Sequence, residues 1–123
     1  MPYRYIMTWI TRPGLWAGAL ILAAGPAWAA GDQLAAGLGL AQQRQCLGCH
    51  QVDARRVGPP FRAIAQRFRD QPQAAQYLAQ TMRQGSSRQW GAIPMPAQTR
   101  LSEADAIRLA QWILSLPDEP ATP

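Results

Sequence analysis

The only histidine of the chain and its only two cysteines fall within five consecutive residues, Cys46-Leu47-Gly48-Cys49-His50. Two thiols one helical turn apart, followed directly by an imidazole, match the attachment spacing of a c-type haem. Each thiol adds to one porphyrin vinyl group, and the adjoining imidazole then reaches the iron from the same side. Neutral imidazole suits iron, and histidine is its usual proximal ligand in haem proteins. The motif therefore predicts one covalent haem c, held through Cys46 and Cys49 with His50 on the metal.

Other uses of a C-x-x-C pair compete with this reading. A zinc site needs two further ligands, and no other Cys or His exists to supply them. A thioredoxin-like redox dithiol expects a βαβ setting, and no strand pattern surrounds the pair. A plain disulfide remains an alternative, but it gives no reason for the single histidine to stand beside the second cysteine.

The first part of the chain reads as an address. Arg4 and Arg12 form a basic start, Gly14 to Ala24 is apolar, Pro26 breaks the run, and Ala27-Trp28-Ala29 fits a small-x-small cleavage pattern. Residues 1–29 are expected to be a secretory signal peptide. The alternative is a retained anchor, since the uncharged stretch from Gly14 to Gly31 is near the lower limit for spanning a bilayer. Export to the periplasm agrees with haem attachment. All twelve basic residues are arginines, and without Arg4 and Arg12 ten stand against seven acids, a formal +3. That permits weak steering toward an acidic partner. The arginines are scattered rather than gathered in a run, which argues against nucleic-acid binding.

Residues 30–117 form the expected domain, and the polar, proline-rich residues 118–123 a disordered tail. Apolar spacing predicts four short helices and no strand. The first runs from Asp32, as N-cap, to Cys46, with Leu34, Leu38, Ala41 and Gln45 on one stripe. Gly37 and Gly39 leave that helix weak or closely packed. Val57-Gly58-Pro59-Pro60 is a stiff loop. The second helix follows from Phe61 to Arg69, with Ile64, Ala65 and Phe68 on one face. Pro72 is expected at the first position of the third, which buries Tyr77, Leu78, Thr81 and Met82 and stops at Gly85. Ser86 to Arg100 has no helical period. Ser102-Glu103-Ala104-Asp105 resembles a capping box and opens the fourth helix, where Leu109, Trp112, Ile113 and Leu116 face inward until Pro117. Such short helices bury little on their own. A porphyrin at their centre supplies the missing apolar surface.

An iron held by one histidine has a sixth position. With no second histidine, the candidates after the signal segment are Met82 and Met95. Met82 falls in the apolar stripe of the third helix and is assigned to the core. Met95 lies between prolines in Trp90-Gly91-Ala92-Ile93-Pro94-Met95-Pro96, where helix packing does not account for it. A stiff loop suits a weak thioether ligand, and His/Met ligation raises the reduction potential.

The ordered set of Cys46 to His50, Val57-Gly58-Pro59, Gly85-Ser86, Trp90-Gly91, Ile93-Pro94-Met95-Pro96 and Trp112 resembles the small bacterial monohaem class I cytochromes c. These are soluble periplasmic electron carriers. The resemblance implies an all-α class I cytochrome c fold, four short helices wrapped around one covalent haem. It also implies that the Pro59 carbonyl accepts from His50, that Trp90 donates to a haem propionate, and that Arg83 balances propionate charge. Two positions depart from the pattern. Gln98 stands where an asparagine often bonds the methionine sulfur, and Ala41 where some members carry an aromatic. The first helix is then expected to meet the last through Leu38, Leu40 and Trp112.

The function expected from this reading is one-electron transfer between Fe(II) and Fe(III), with no substrate transformed. The partners would be redox proteins: a donor such as a membrane cytochrome complex, and an acceptor such as a terminal oxidase or reductase. The chain itself would be a monomer. The alternatives are a membrane-anchored or complex-associated cytochrome subunit, and a thiol-disulfide oxidoreductase using Cys46 and Cys49.

Overall fold

The structure is a computed structural model and describes residues 29–118. The expected signal segment up to residue 28 and the tail from residue 119 onward lie outside the described residues. Four α-helices occur in the order α1 (Ala29–Gln43), α2 (Phe61–Phe68), α3 (Ala74–Gln84) and α4 (Glu103–Ser115). A single 3₁₀ turn, Cys46–Gly48, carries the first cysteine. Among the described residues there is no strand, only an isolated antiparallel bridge between Ser86 and Met95. No helix among them is long and apolar enough to cross a membrane.

α4 is the central strut, packed against α1, α2 and α3. It starts where Ser102 accepts a hydrogen bond from the Asp105 N–H at 3.1 Å, a true N-cap. Leu109, Trp112, Ile113 and Leu116 are all buried along it. Leu109 is 1% exposed, and full burial of such a side chain contributes about 1.5–3 kcal/mol. The Asp105 side chain does not reach back to close a capping box. It takes the Arg44 guanidinium at 2.6 Å, tying the end of α1 to the start of α4.

α1 departs from expectation in both register and face. Ala29 and Ala30 extend it upstream, so Asp32 sits in its first turn rather than capping it. It ends at Gln43 because Gln45 takes a left-handed backbone, φ 60°. Leu34 and Leu38 are each 40% exposed, so the stripe through them is not the buried one. The contact face passes through Gly37 and Ala41. A Cβ on Gly37 would lie 2.0 Å from Trp112 Cγ, so only glycine lets the indole lie this close to the helix. Leu40 packs at the core edge. The bulk missing at Ala41 is thus offset by Trp112 moving in against a glycine, not by Leu38.

α2 buries Ile64, Ala65 and Phe68 as expected and also Phe61, its first residue. α3 begins two residues after Pro72, because Gln73 at φ 58° breaks the path between them. Leu78 and Met82 are buried, with Ala74 and Ala79 beside them. Tyr77 is instead 40% exposed and tilted against Phe68, while Thr81 is half-buried. Gly85 ends α3 at φ 79°, donating to Thr81 O at 2.8 Å.

Candidate functional site

The Cys motif and the proline loop after it build one wall of a cavity of about 380 Å³. His50 is 8% exposed and lines it. Its Nδ1 lies 2.8 Å from the Pro59 carbonyl. A carbonyl can only accept, so Nδ1 carries the proton and Nε2 keeps its lone pair, the tautomer a metal ligand needs. The ring stacks on Phe61 with centroids 5.1 Å apart and planes 17° apart. Gly58 lies against its other edge, and a Cβ there would come 2.5 Å from His50 Cε1. Backbone bonds from Gly58 N to Cys49 O and from Phe61 N to Gln51 O, both 2.8 Å, hold the loop that makes this seat.

The facing loop carries Met95, half-buried and also on the cavity. Met95 N donates to Ser86 O at 2.8 Å, and Ser86 N donates to Met95 O at 3.0 Å. Gly85 makes this approach feasible, since its Cβ would lie 2.8 Å from Met95 O. Gln98 does not turn to the sulfur. Its side-chain amide donates to Pro96 O at 3.0 Å, and its backbone N–H donates to Met82 O at 2.9 Å. Met82 lies in the core and is not on the cavity.

Cys49 is exposed and lines the cavity, while Cys46 faces a second, polar cleft walled by the same turn and by Ala97 and Gln98. Burial, with Cys49 adding to it, pushes the Cys46 thiol above its ordinary pKa. Trp90 lines the cavity with the Arg67 guanidinium 4.8 Å from its ring. Arg83 is placed differently from the expectation. It is exposed, lies 3.9 Å from Glu103 across to α4, and does not line the cavity. Its position near the end of α3 turns it outward. Among the described residues of the lining, only Arg55 and Arg88 are charged.

The lining fits a flat apolar group carrying a metal. Imidazole and thioether face one largely apolar space, and a thiol borders it. Val57 and Ile93 at its walls are 46% and 66% exposed, apolar surface that such a group would cover.

The family described as Cytochrome c matches residues 34–117. Cytochrome c-552 of Nitrosomonas europaea is 44% identical over 103 residues, covering 84% of this chain and 93% of the relative. Cytochrome c-551 of Pseudomonas aeruginosa is 40% identical, covering 62% and 72%. The crystal structure of wild-type Nitrosomonas europaea cytochrome c552 superposes with a TM-score of 0.64 at 46% identity, covering 65% of this chain and 99% of that one. The chain belongs to the cytochrome c family. It has the all-α class I fold, takes one covalently attached haem c, and is an electron carrier rather than an enzyme.

Proposed function

We propose that the protein is a soluble, periplasmic one-electron carrier whose iron is held by His50 and Met95. The observation that carries this is the shared cavity: a buried imidazole with its Nδ1 committed to Pro59, and a thioether on a loop pinned by two backbone bonds. When bound, the haem supplies reversible one-electron chemistry at iron. Cys46 and Cys49 would hold it by thioether bonds. Pro59 and Phe61 hold the imidazole in one orientation, and the Ser86–Met95 bridge holds the sulfur. Both donors are neutral, which favours the reduced metal. With His50 and Met95 both holding the metal, small molecules would be kept from it. Trp90, on the cavity wall, would offer its indole N–H to the haem carboxylates.

Residues 1–29 direct export and are removed, and the mature domain runs from 30 to 117 as a monomer. Redox partners, a membrane cytochrome complex as donor and a terminal oxidase or reductase as acceptor, dock on an exposed haem edge framed by the Cys46 to His50 motif and the Met95 loop. Arg55 and Arg56 beside it steer acidic surfaces, an effect on association rate that salt screens. The test is spectroscopic. Protein purified from periplasm should keep its haem through acid–acetone extraction and show the weak far-red band of sulfur–iron ligation. Met95→Ala should abolish that band and lower the potential, whereas Met82→Leu should leave both in place. Loss of the band in Met82→Leu and its survival in Met95→Ala would reverse the assignment.

A further inference from the structure

Three aromatic rings stand in series from the cavity to α1. The His50 imidazole stacks on Phe61, with centroids 5.1 Å apart and planes 17° apart. Phe61 and Trp112 then meet edge to face, centroids again 5.1 Å apart and planes at 71°. Both are geometries that aromatic quadrupoles favour. The indole in turn lies on Gly37, where a Cβ would stand 2.0 Å from Cγ and 2.2 Å from Cδ1. The series thus crosses from α1 through α4 and α2 to the residue on the cavity. Phe61 and Trp112 are both buried. Trp112 Nε1 is buried too and has no hydrogen-bond partner among the described residues. A buried indole N–H ordinarily finds an acceptor. Here no polar group of the protein orients the ring, and packing alone sets its place.

The bond from Nδ1 to Pro59 fixes one atom of the imidazole, and Gly58 limits one edge. Neither fixes the plane, which stays free to tilt about the line of the hydrogen bond. The face of Phe61 is what opposes that tilt. Phe61 opens α2 with its backbone N–H committed to Gln51 O, so its remaining freedom lies in its side-chain torsions. Trp112 stands against that ring and blocks them. We propose that Trp112, seated on Gly37, is a positioning residue for the iron ligand: acting through Phe61, it sets the plane of the His50 imidazole. The proposal rests on the reading that His50 holds the iron, and extends it from the ring's own neighbours to the junction of α1 and α4. Close-packed interiors pass a displacement from one side chain to the next. Groups around a metal-bound histidine orient its ring and tune the metal. The plane of an axial imidazole decides which iron d orbital its π system meets, so a tilt redistributes the unpaired electron of the ferric protein.

The experiment records proton NMR spectra of the oxidised holoprotein, in which the unpaired electron moves the axial-ring protons and the haem methyls far outside the ordinary range. The parent is compared with Trp112→Leu, Trp112→Phe and Leu78→Ala. Leu78 is buried in α3, off the cavity and not a member of the aromatic series. Its truncation lowers stability through a cavity in the core and leaves the three rings intact. Trp112→Leu should redistribute the haem-methyl shifts and move the His50 ring protons. Trp112→Phe keeps a smaller ring against Phe61 and should move the same resonances in the same direction by less. Leu78→Ala should lower the unfolding midpoint and leave the shift pattern in place. If Trp112→Leu yields no holoprotein, Trp112→Phe against Leu78→Ala decides in its stead. The parent's shift pattern in the Trp112 variants would overturn the proposal, as would an equal change in Leu78→Ala. The parent spectrum separates the two levels. Shifted ring protons of His50 that stay unmoved in the Trp112 variants defeat the positioning role alone; their absence from the parent defeats the reading that His50 holds the iron.

Discussion

Gly58→Ala is the smallest change that should disable the histidine seat. The added methyl would lie 2.5 Å from Cε1, 2.8 Å from Nδ1 and 3.1 Å from Nε2 of His50, against an ordinary contact that begins at 3.4 Å. To relieve the overlap the ring must withdraw by about 1 Å. Phe61 blocks retreat on the stacked side. Withdrawal stretches the 2.8 Å bond to Pro59 beyond hydrogen-bonding range. Overpacking of this kind costs ~1–3 kcal/mol, and the lost buried hydrogen bond about 1 kcal/mol more. The sum, roughly 2–4 kcal/mol, is a large part of the about 5–15 kcal/mol that holds a domain together. In guanidinium titrations of the oxidised holoprotein the midpoint should fall by on the order of 1 M. The potential should rise, because a ring that no longer donates to Pro59 is a less basic ligand. Gly48→Ala is the control, since a Cβ there meets nothing within 4 Å. Identical midpoints for the two variants would refute the reasoning.

Other expectations follow from separate parts of the fold. Gly85→Ala combines a φ of 79° with a Cβ 2.8 Å from Met95 O; it should weaken the far-red band and cost about 1–3 kcal/mol in stability, read by thermal melting with the band as probe. The Arg44 guanidinium, helped by the Ser102 hydroxyl and Arg108, holds the Asp105 carboxyl below the usual carboxylate range. Its folded value lies below its unfolded one, so the stabilisation is present above about pH 4 and is lost as pH falls through the depressed folded value. Asp105→Asn should therefore lower stability at neutral pH and flatten the acid limb of an unfolding-versus-pH curve; an unaltered acid limb would show that other groups set it. Cys46→Ala with Cys49→Ala should yield little folded protein by circular dichroism, because the domain loses the covalent group at its centre. A stable haem-free fold in that double variant would remove the argument that the haem completes the core.

Much of this was legible in the sequence because the informative residues are rare. A lone histidine beside the only cysteines, and a methionine held between prolines, stand out from composition alone, and the structure brings His50, Cys49 and Met95 to one cavity. Helix existence and the α4 core were equally plain, since the apolar spacing from Leu109 to Leu116 has one inward face. The face of α1 was not. Leucine spacing pointed to Leu34 and Leu38, whereas the buried face runs through Gly37, a residue with no side chain to reveal it. Its partner Trp112 lies 75 positions later in the chain. Arg83 lies off the cavity for a related reason: ten arginines follow residue 29, and no local pattern shows which of them the loops and helices bring to the cavity wall. Asp105 showed a cap by its position, but its bond to Arg44 joins helices that no local pattern connects.

The paired bonds between Ser86 and Met95 close the intervening chain into a loop with a neck. Strain applied along the chain at either end is taken up by two parallel hydrogen bonds before it reaches the sulfur. Such a loop is a mechanical cartridge. Any scaffold that receives it must offer a glycine where Gly85 stands, since a Cβ there would lie 2.8 Å from Met95 O. Between those two anchor points the loop is also tied to the helices, since Arg67 of α2 donates to Gln89 O at 2.8 Å and Gln89 Nε2 donates to the Tyr77 hydroxyl of α3 at 2.7 Å, so a graft of the loop would have to carry these contacts with it.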